Sequence, residues 1–105
     1  MVNLTNLNKR LFADVASHWN ELMPMMTMEE CGELIQAISK YERFSVSSHP
    51  DMDRIAIEDK FDKFRNNLIE EIRDVYISLE ALKIFYSIDD NELNSMIEKK
   101  LNKKY

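Results

Sequence analysis

The sequence predicts an all-α fold, a four-helix up-and-down bundle, and two observations favour it. Glycine and proline, on which hairpins and tight turns depend, number only one and two in 105 residues. Apolar residues also recur at the three- and four-residue spacing of amphipathic helices through most of the chain. A chain of this length is expected to fold as one domain, residues 1–105, with a core that is modest for its surface.

The first two helices are predicted to follow each other with almost no linker. The first is expected at about residues 5–23, with Asn3 or Thr5 as its N-cap, because its apolar residues share one side. The second is expected at about residues 25–43, with Pro24 in its first turn, where the missing N–H of proline is tolerated.

The second half of the chain is predicted to contain one clear loop and two further helices. Residues 45–51 have the serine- and proline-containing composition of a loop. A short helical piece is expected to start near Asp51 or Asp53 and to lead into a third helix at about residues 61–85, either separately or as one continuous helix. Asp89 or Asp90 then caps a last helix that ends near Asn102.

Net charge and cysteine usage restrict the partners and the compartment. A net charge of −5 gives no support to nucleic-acid binding, which depends on the neutralisation of phosphates. The single cysteine, Cys31, cannot form an internal disulfide, which fits a cytoplasmic protein. No apolar run approaches the roughly 20 residues of a membrane span, so no membrane is expected as a partner.

Two short segments repeat the same arrangement of acids. Residues 30–34 read ECGEL and residues 71–75 read EIRDV, each an acid, two residues, a second acid and an aliphatic residue. Positions three apart share a helix face, so each acid pair points to one side of its helix. A single pair of this kind is most often a solvated face, but two pairs with matching spacing are harder to explain in that way.

The position of these acids relative to the apolar stripes predicts a metal site. Glu30 and Glu71 fall inside the stripes of their helices, and Glu33 and Asp74 lie at the margins. If both stripes face one core, four carboxylates converge there, at a cost of several kcal/mol each unless a cation compensates. Oxygen ligands favour magnesium, manganese or calcium over zinc.

The same segments resemble a known family. Residues 28–38, MEECGELIQAI, and residues 70–75, EEIRDV, look like the two halves of the MazG-type nucleotide pyrophosphohydrolase signature, ExxE followed by ExxD. The resemblance covers about residues 22–105 and includes the lysine-rich tail. The chain departs from the family in a longer interval between the halves, which we attribute to an insertion at residues 45–59. It also departs in Arg73, where a small residue is common.

The resemblance implies a fold, a reaction and a metal. The family belongs to the all-α NTP pyrophosphatase superfamily, so Glu30, Glu33, Glu71 and Asp74 are expected to be the catalytic residues that hold Mg²⁺, with Mn²⁺ as a possible substitute. The implied substrate is a nucleoside triphosphate, with a dNTP expected. Attack of a metal-activated water at its α-phosphate gives the monophosphate and pyrophosphate. A homodimer or homotetramer is expected, since the family oligomerises and two long apolar stripes exceed what one small protomer covers.

Five further residues are candidates for holding the substrate. Lys99, Asn102 and Lys103 could contact phosphate or sugar, although the alternative is a solvated C-terminus. Trp19 and His18 could line a base pocket, as similar aromatic residues do in dCTP-cleaving relatives, although a tryptophan at helical spacing is more often core.

Two other classes of protein compete with the enzyme. A ferritin-like di-iron protein needs Glu-x-x-His pairs on facing helices, and neither histidine follows a glutamate at that spacing. A non-catalytic, MazG-like helical protein that regulates a partner remains the alternative.

Overall fold

The computed structural model describes residues 6–104, and these are mostly helical. Helix α1, Asn6–Trp19, continues into a 3-10 turn at Asn20–Leu22, which leads directly into α2, Met23–Val46. Helix α3 is Arg54–Phe85, and α4 is Asp90–Lys104. No strand occurs in the described range, so the predicted all-α class is confirmed.

The junction between α1 and α2 is a sharp corner without a loop. Asn20 adopts a left-handed conformation, with φ of 49°, which asparagine tolerates better than most residues. Pro24 lies in the first turn of α2, as predicted, and the helix begins at Met23. Asn3 and Thr5, the predicted caps of the first helix, lie outside the described residues.

Helices α2 and α3 are both longer than the sequence pattern predicted. Helix α2 continues to Val46, and α3 begins at Arg54, so the helical piece predicted near Asp51 or Asp53 runs without a break into the predicted third helix. The Asp53 carboxylate caps α3, accepting a 2.8 Å hydrogen bond from the backbone N–H of Ala56. Only residues 47–53 therefore separate the two helices, so they form an antiparallel hairpin.

The end of α3 and the start of α4 follow the prediction. Backbone hydrogen bonds from Ser87 to Ile84 and from Ile88 to Lys83 close the last turn, and Ser87 takes a positive φ of 56°. The Asp89 carboxylate then accepts a 2.9 Å hydrogen bond from the N–H of Asn91, so Asp89 is the cap of the two that the sequence allowed, Asp89 and Asp90.

The core lies where α1 crosses the hairpin. Ala16 of α1, Met23 of α2 and Ala81 of α3 are buried together. Partly buried apolar residues surround this cluster: Val15, Trp19, Met26, Leu82 and Phe85. The small buried residues Ala37 and Ser78 extend the α2–α3 interface beyond it, where side chains of this size let the helices approach closely.

Helix α4 does not complete a four-helix bundle within the described chain. It packs along none of the other helices and is tied to them at its first turn, where Lys83 lies 2.6 Å from Asp90. The Cα radius of gyration is 17.8 Å, well above the ~13 Å typical of a compact domain of this length. The end of α4 is rich in lysine and poor in apolar residues, so it has little surface to bury.

Among residues 6–104, no helix combines the length and the hydropathy that a bilayer crossing requires.

The core cluster predicts a large difference between two methionine substitutions. Met23 is 1% exposed, so Met23→Ala should lower the free energy of unfolding by about 2–5 kcal/mol through lost burial and a cavity. Met96→Ala is the matched control, since Met96 is 67% exposed on α4, and it should change stability by less than about 0.5 kcal/mol. Urea unfolding measures both, and equal losses would contradict this description of the core.

Candidate metal centre

The hairpin brings the four predicted acids together. Glu30, Glu71 and Asp74 each offer one carboxylate oxygen, and these oxygens lie within 4.8 Å of one another. The Glu33 carboxylate is the fourth, within hydrogen-bonding reach of Glu71. Because α2 and α3 run antiparallel, the repeat in each helix places its acids at the same level of the interface.

Two oxygens of the cluster are buried without a partner. Glu30 Oε2 and Glu71 Oε2 are inaccessible to solvent, and neither accepts a hydrogen bond from the described residues. Asp74 differs, because its Oδ1 accepts a 3.0 Å hydrogen bond from Nε of the adjacent Arg73. A buried acceptor without a donor costs about 1–3 kcal/mol, and more when it carries charge. The cluster therefore lacks positive charge at its centre.

Burial and mutual repulsion disfavour the charged forms of these acids. Burial is the main cause that raises the pKa of Glu30 above its ordinary value, and the Glu33 and Asp74 carboxylates add to it. Burial likewise raises the pKa of Glu71, again with repulsion from Glu33 and Asp74. Like the unpartnered oxygens, both raised pKa values indicate that no positive charge compensates the carboxylates at the centre of the cluster.

A divalent cation with oxygen ligands fits this arrangement. With bonds of about 2.0–2.1 Å, neighbouring ligands of a magnesium octahedron lie about 3 Å apart and opposite ligands about 4.2 Å apart. Three oxygens within 4.8 Å of one another can therefore reach one ion if their side chains move closer together. The ion would give Glu30 Oε2 and Glu71 Oε2 the partner that they lack. The donor set contains no sulfur or nitrogen, which disfavours zinc.

The other predicted site residues lie on α1 and α4. Trp19 is half-buried and packs against the core cluster, and His18 is exposed, with its ring edge-on to Trp19 at 4.9 Å. Lys99, Asn102 and Lys103 are exposed on α4, which packs along neither acid-bearing helix.

A second feature, which the sequence pattern did not indicate, lies along the same hairpin. We call it the basic basin, an open cleft of about 540 Å³ lined by Lys40, Lys63, Phe64 and Asn67. Lys40 and Phe64 also line an adjoining cleft of about 290 Å³, together with Arg43, Phe44, Ser47 and His49. Its signal in the sequence is faint, because Lys40 and Lys63 look like ordinary exposed lysines until the two helices are paired.

No protein-family model, curated protein or solved structure matches this chain. The likeness to MazG-type enzymes therefore remains a prediction from the motif residues.

The raised pKa values of Glu30 and Glu71 predict how stability depends on pH without metal. The folded state holds these protons more tightly than the unfolded chain does. The contribution of these acids to stability should therefore fall as pH rises from about 4.5 through the raised pKa. Glu71→Gln, which has no charge to bury, should be more stable than wild type near pH 8 by on the order of 1 kcal/mol, and the difference should shrink near pH 4.5.

Urea unfolding in the presence of a chelator measures this difference. Glu42→Gln is the control, since Glu42 is an exposed acid on the same helix as Glu30, and it should leave stability unchanged at both pH values. A Glu71→Gln variant that is less stable than wild type near pH 8 would show that the carboxylates are compensated in some other way.

Proposed function

We propose that the protein is a Mg²⁺-dependent nucleoside triphosphate pyrophosphohydrolase that releases the monophosphate and pyrophosphate. The observation that carries the proposal is the meeting of Glu30, Glu33, Glu71 and Asp74, with two buried oxygens that have no donor. The resemblance of the two acid segments to the MazG-type signature supports the same reaction. Magnesium usually keeps open positions for water and substrate phosphates, so such a site suits phosphate chemistry.

Each residue has a separate task in this proposal. Glu30 and Glu71 hold the ion from within the interface, and Asp74 holds it from the margin, oriented by its hydrogen bond from Arg73. Glu33 is exposed and completes the set on the side from which a nucleotide can enter. When bound, magnesium would lower the pKa of a water and neutralise charge that develops on the phosphoryl oxygens.

We also propose that two copies assemble through an apolar face of the hairpin. Seven large side chains on this face are 40–67% exposed: Met28, Ile35, Ile38, Ile69, Ile72, Tyr76 and Leu79. Around the axis of each helix, these side chains are rotated by about 80–160° from Glu30 or Glu71 in one direction. Glu33 and Asp74 are rotated by about 60° in the opposite direction. Because α2 and α3 are antiparallel and face each other at Glu30 and Glu71, the same direction of rotation leads to the same side of the hairpin on both helices. The seven side chains therefore form one continuous patch.

A second copy is the occupant that suits this face. Ile69, Ile72, Tyr76 and Leu79 follow the alternating three- and four-residue spacing of a helix–helix seam. Seven half-exposed large side chains also approach the upper limit of the apolar patch that monomers usually expose. Two hairpins that meet on this face would form the four-helix bundle that one chain lacks. Cys31, a free cysteine, is compatible with assembly in the cytoplasm.

The alternative, a helical protein without catalysis that binds a partner, draws on the same exposed apolar face. Metal uptake separates the two, because a regulatory helix pair has no need of an ion between its carboxylates.

The proposed reaction predicts a specific product. With Mg²⁺ and a panel of NTPs and dNTPs, the protein should release pyrophosphate rather than orthophosphate. Glu33→Ala should lower the rate by more than about 100-fold, since even residues that only support metal ligands are worth 10–100-fold. Glu42→Ala, an exposed acid on the same helix, should leave the rate unchanged.

Release of orthophosphate alone would contradict attack at the α-phosphate. Circular dichroism of Glu33→Ala shows whether its helices remain, and calorimetric titration with Mg²⁺ should show lost uptake.

The assembly predicts that one buried charge disrupts it. Ile72→Glu places a carboxylate at the centre of the apolar face and should raise the dissociation constant at least about 100-fold, because an unpaired charge in an apolar interface costs several kcal/mol. Ile55→Glu is the control, since Ile55 is 71% exposed outside this face. Light scattering after size-exclusion chromatography gives the mass, and a monomeric wild-type protein at micromolar concentration would exclude a stable dimer.

A further inference from the structure

The basic basin lies on the same side of the hairpin as the acids. Around the axis of α2, Lys40 is rotated by about 80° from Glu30, and around the axis of α3, Lys63 is rotated by about 80° from Glu71. In both helices the direction of rotation is the one in which Glu33 and Asp74 lie. The two helices therefore form one groove, which contains the acid cluster and, further along the helix axes, the basic basin. The core contacts of α1 with Met23 and Ala81 lie beyond the acids, so α1 covers the other end of this groove.

The basin is cationic in a chain that is acidic overall. Lys40 and Lys63 line its larger cleft and Arg43 the adjoining one, and no acid lines either cleft. Lys40 and Lys63 form no ion pair with any described residue, in contrast to Lys83, which is paired with both Glu80 and Asp90. Two lysines that form no ion pair with the described residues therefore line one open cleft.

Packed aromatic side chains line the clefts of this cationic surface. The rings of Phe44 and Phe64 lie 5.3 Å apart, and the His49 ring stacks on Phe44 at 4.0 Å. His49 is held in turn by a 2.9 Å hydrogen bond between Nε2 and the carbonyl oxygen of Phe44. The Asn67 amide adds a hydrogen-bond donor at the edge nearest to the acids.

The spacing between the basin and the acids suits two ends of one ligand. Lys40 follows Glu33 by seven residues, or about 10 Å along the helix axis, and Lys63 precedes Glu71 by eight, or about 12 Å. The flexible four-carbon stem of lysine lets its ammonium cover much of that distance. A molecule whose reacting phosphate lies at the acids can thus present a second anionic group to the basin.

We propose that the basic basin binds the terminal phosphates of the substrate, the part that leaves as pyrophosphate. This inference rests on the proposed function and deepens it, because it selects triphosphates over shorter nucleotides. Lys40 and Lys63 neutralise the charge of the β- and γ-phosphates, and Asn67 donates to a phosphate oxygen between them and the acids. A nucleoside diphosphate leaves the far end of the basin empty and is bound more weakly.

The first test measures anion binding without metal or turnover. Inorganic tripolyphosphate, added with a chelator, should shift the backbone amide NMR signals of residues 40, 63 and 67. Lys40→Gln and Lys63→Gln should each weaken binding by about tenfold, as expected for a lost hydrogen bond to a charged group. Arg65→Gln is the matched control, because it removes the same charge two residues from Lys63 on an exposed part of the opposite side of α3.

The second test uses hydrolysis by the magnesium-loaded protein. Lys40→Gln and Lys63→Gln should raise KM for a triphosphate about tenfold and change kcat less, whereas Arg65→Gln should leave both constants unchanged. Equal weakening by Arg65→Gln in either test would mean a general effect of charge and would overturn the proposal, as would tripolyphosphate shifts spread over the lysines of α4.

The two tests separate this inference from the function on which it rests. If hydrolysis proceeds but neither lysine variant changes KM, the basin has no role in substrate binding and the enzyme assignment stands. If no nucleotide is hydrolysed but tripolyphosphate still binds at residues 40, 63 and 67, the enzyme assignment fails and the basin remains an anion site.

Discussion

The packing of α2 against α3 places carboxylates where a helix interface is ordinarily apolar, and most features of the molecule relate to that conflict. Small residues such as Ala37 and Ser78 let the helices approach closely elsewhere along the interface. At the level of Glu30 and Glu71 the same closeness removes water from two oxygens and supplies no donor in return. The site that would bind a cation is thus also the least favourable part of the metal-free interface.

The hairpin has two unlike sides, and each suits a different kind of partner. One side carries the acids, the basic basin and α1, so it offers charges of both signs to a ligand. The other carries the apolar face and suits a protein surface. Because helical periodicity separates the two sides, substitutions on the same helices can test the proposed ligand binding and the proposed assembly independently.

Individual residues show which features could be predicted from their neighbours in the sequence. The cap of α4 was predicted as Asp89 or Asp90, and Glu30 and Glu71 were recognisable as acids inside apolar stripes, because both properties depend on neighbours within a few residues. A helical start near Asp51 or Asp53 was predicted, and α3 begins at Arg54 with Asp53 as its cap, but the local pattern did not settle that this piece and the helix at residues 61–85 are one continuous helix. The basic basin was missed because Lys40 and Lys63 are 23 positions apart and each is unremarkable alone.

By itself, the sequence determined the helical class, the cap of α4 and the faces that residues share, since helix periodicity and capping act over a few residues. Only the tertiary structure decided which distant residues meet, because that depends on the register of the α2–α3 hairpin. The same register brings the two acid pairs together at one position along the hairpin. It brings Lys40 and Lys63 together about two helical turns further along. Tertiary structure also decided that α4 stays apart, since a helix packs only where its apolar area outweighs the entropy of holding it.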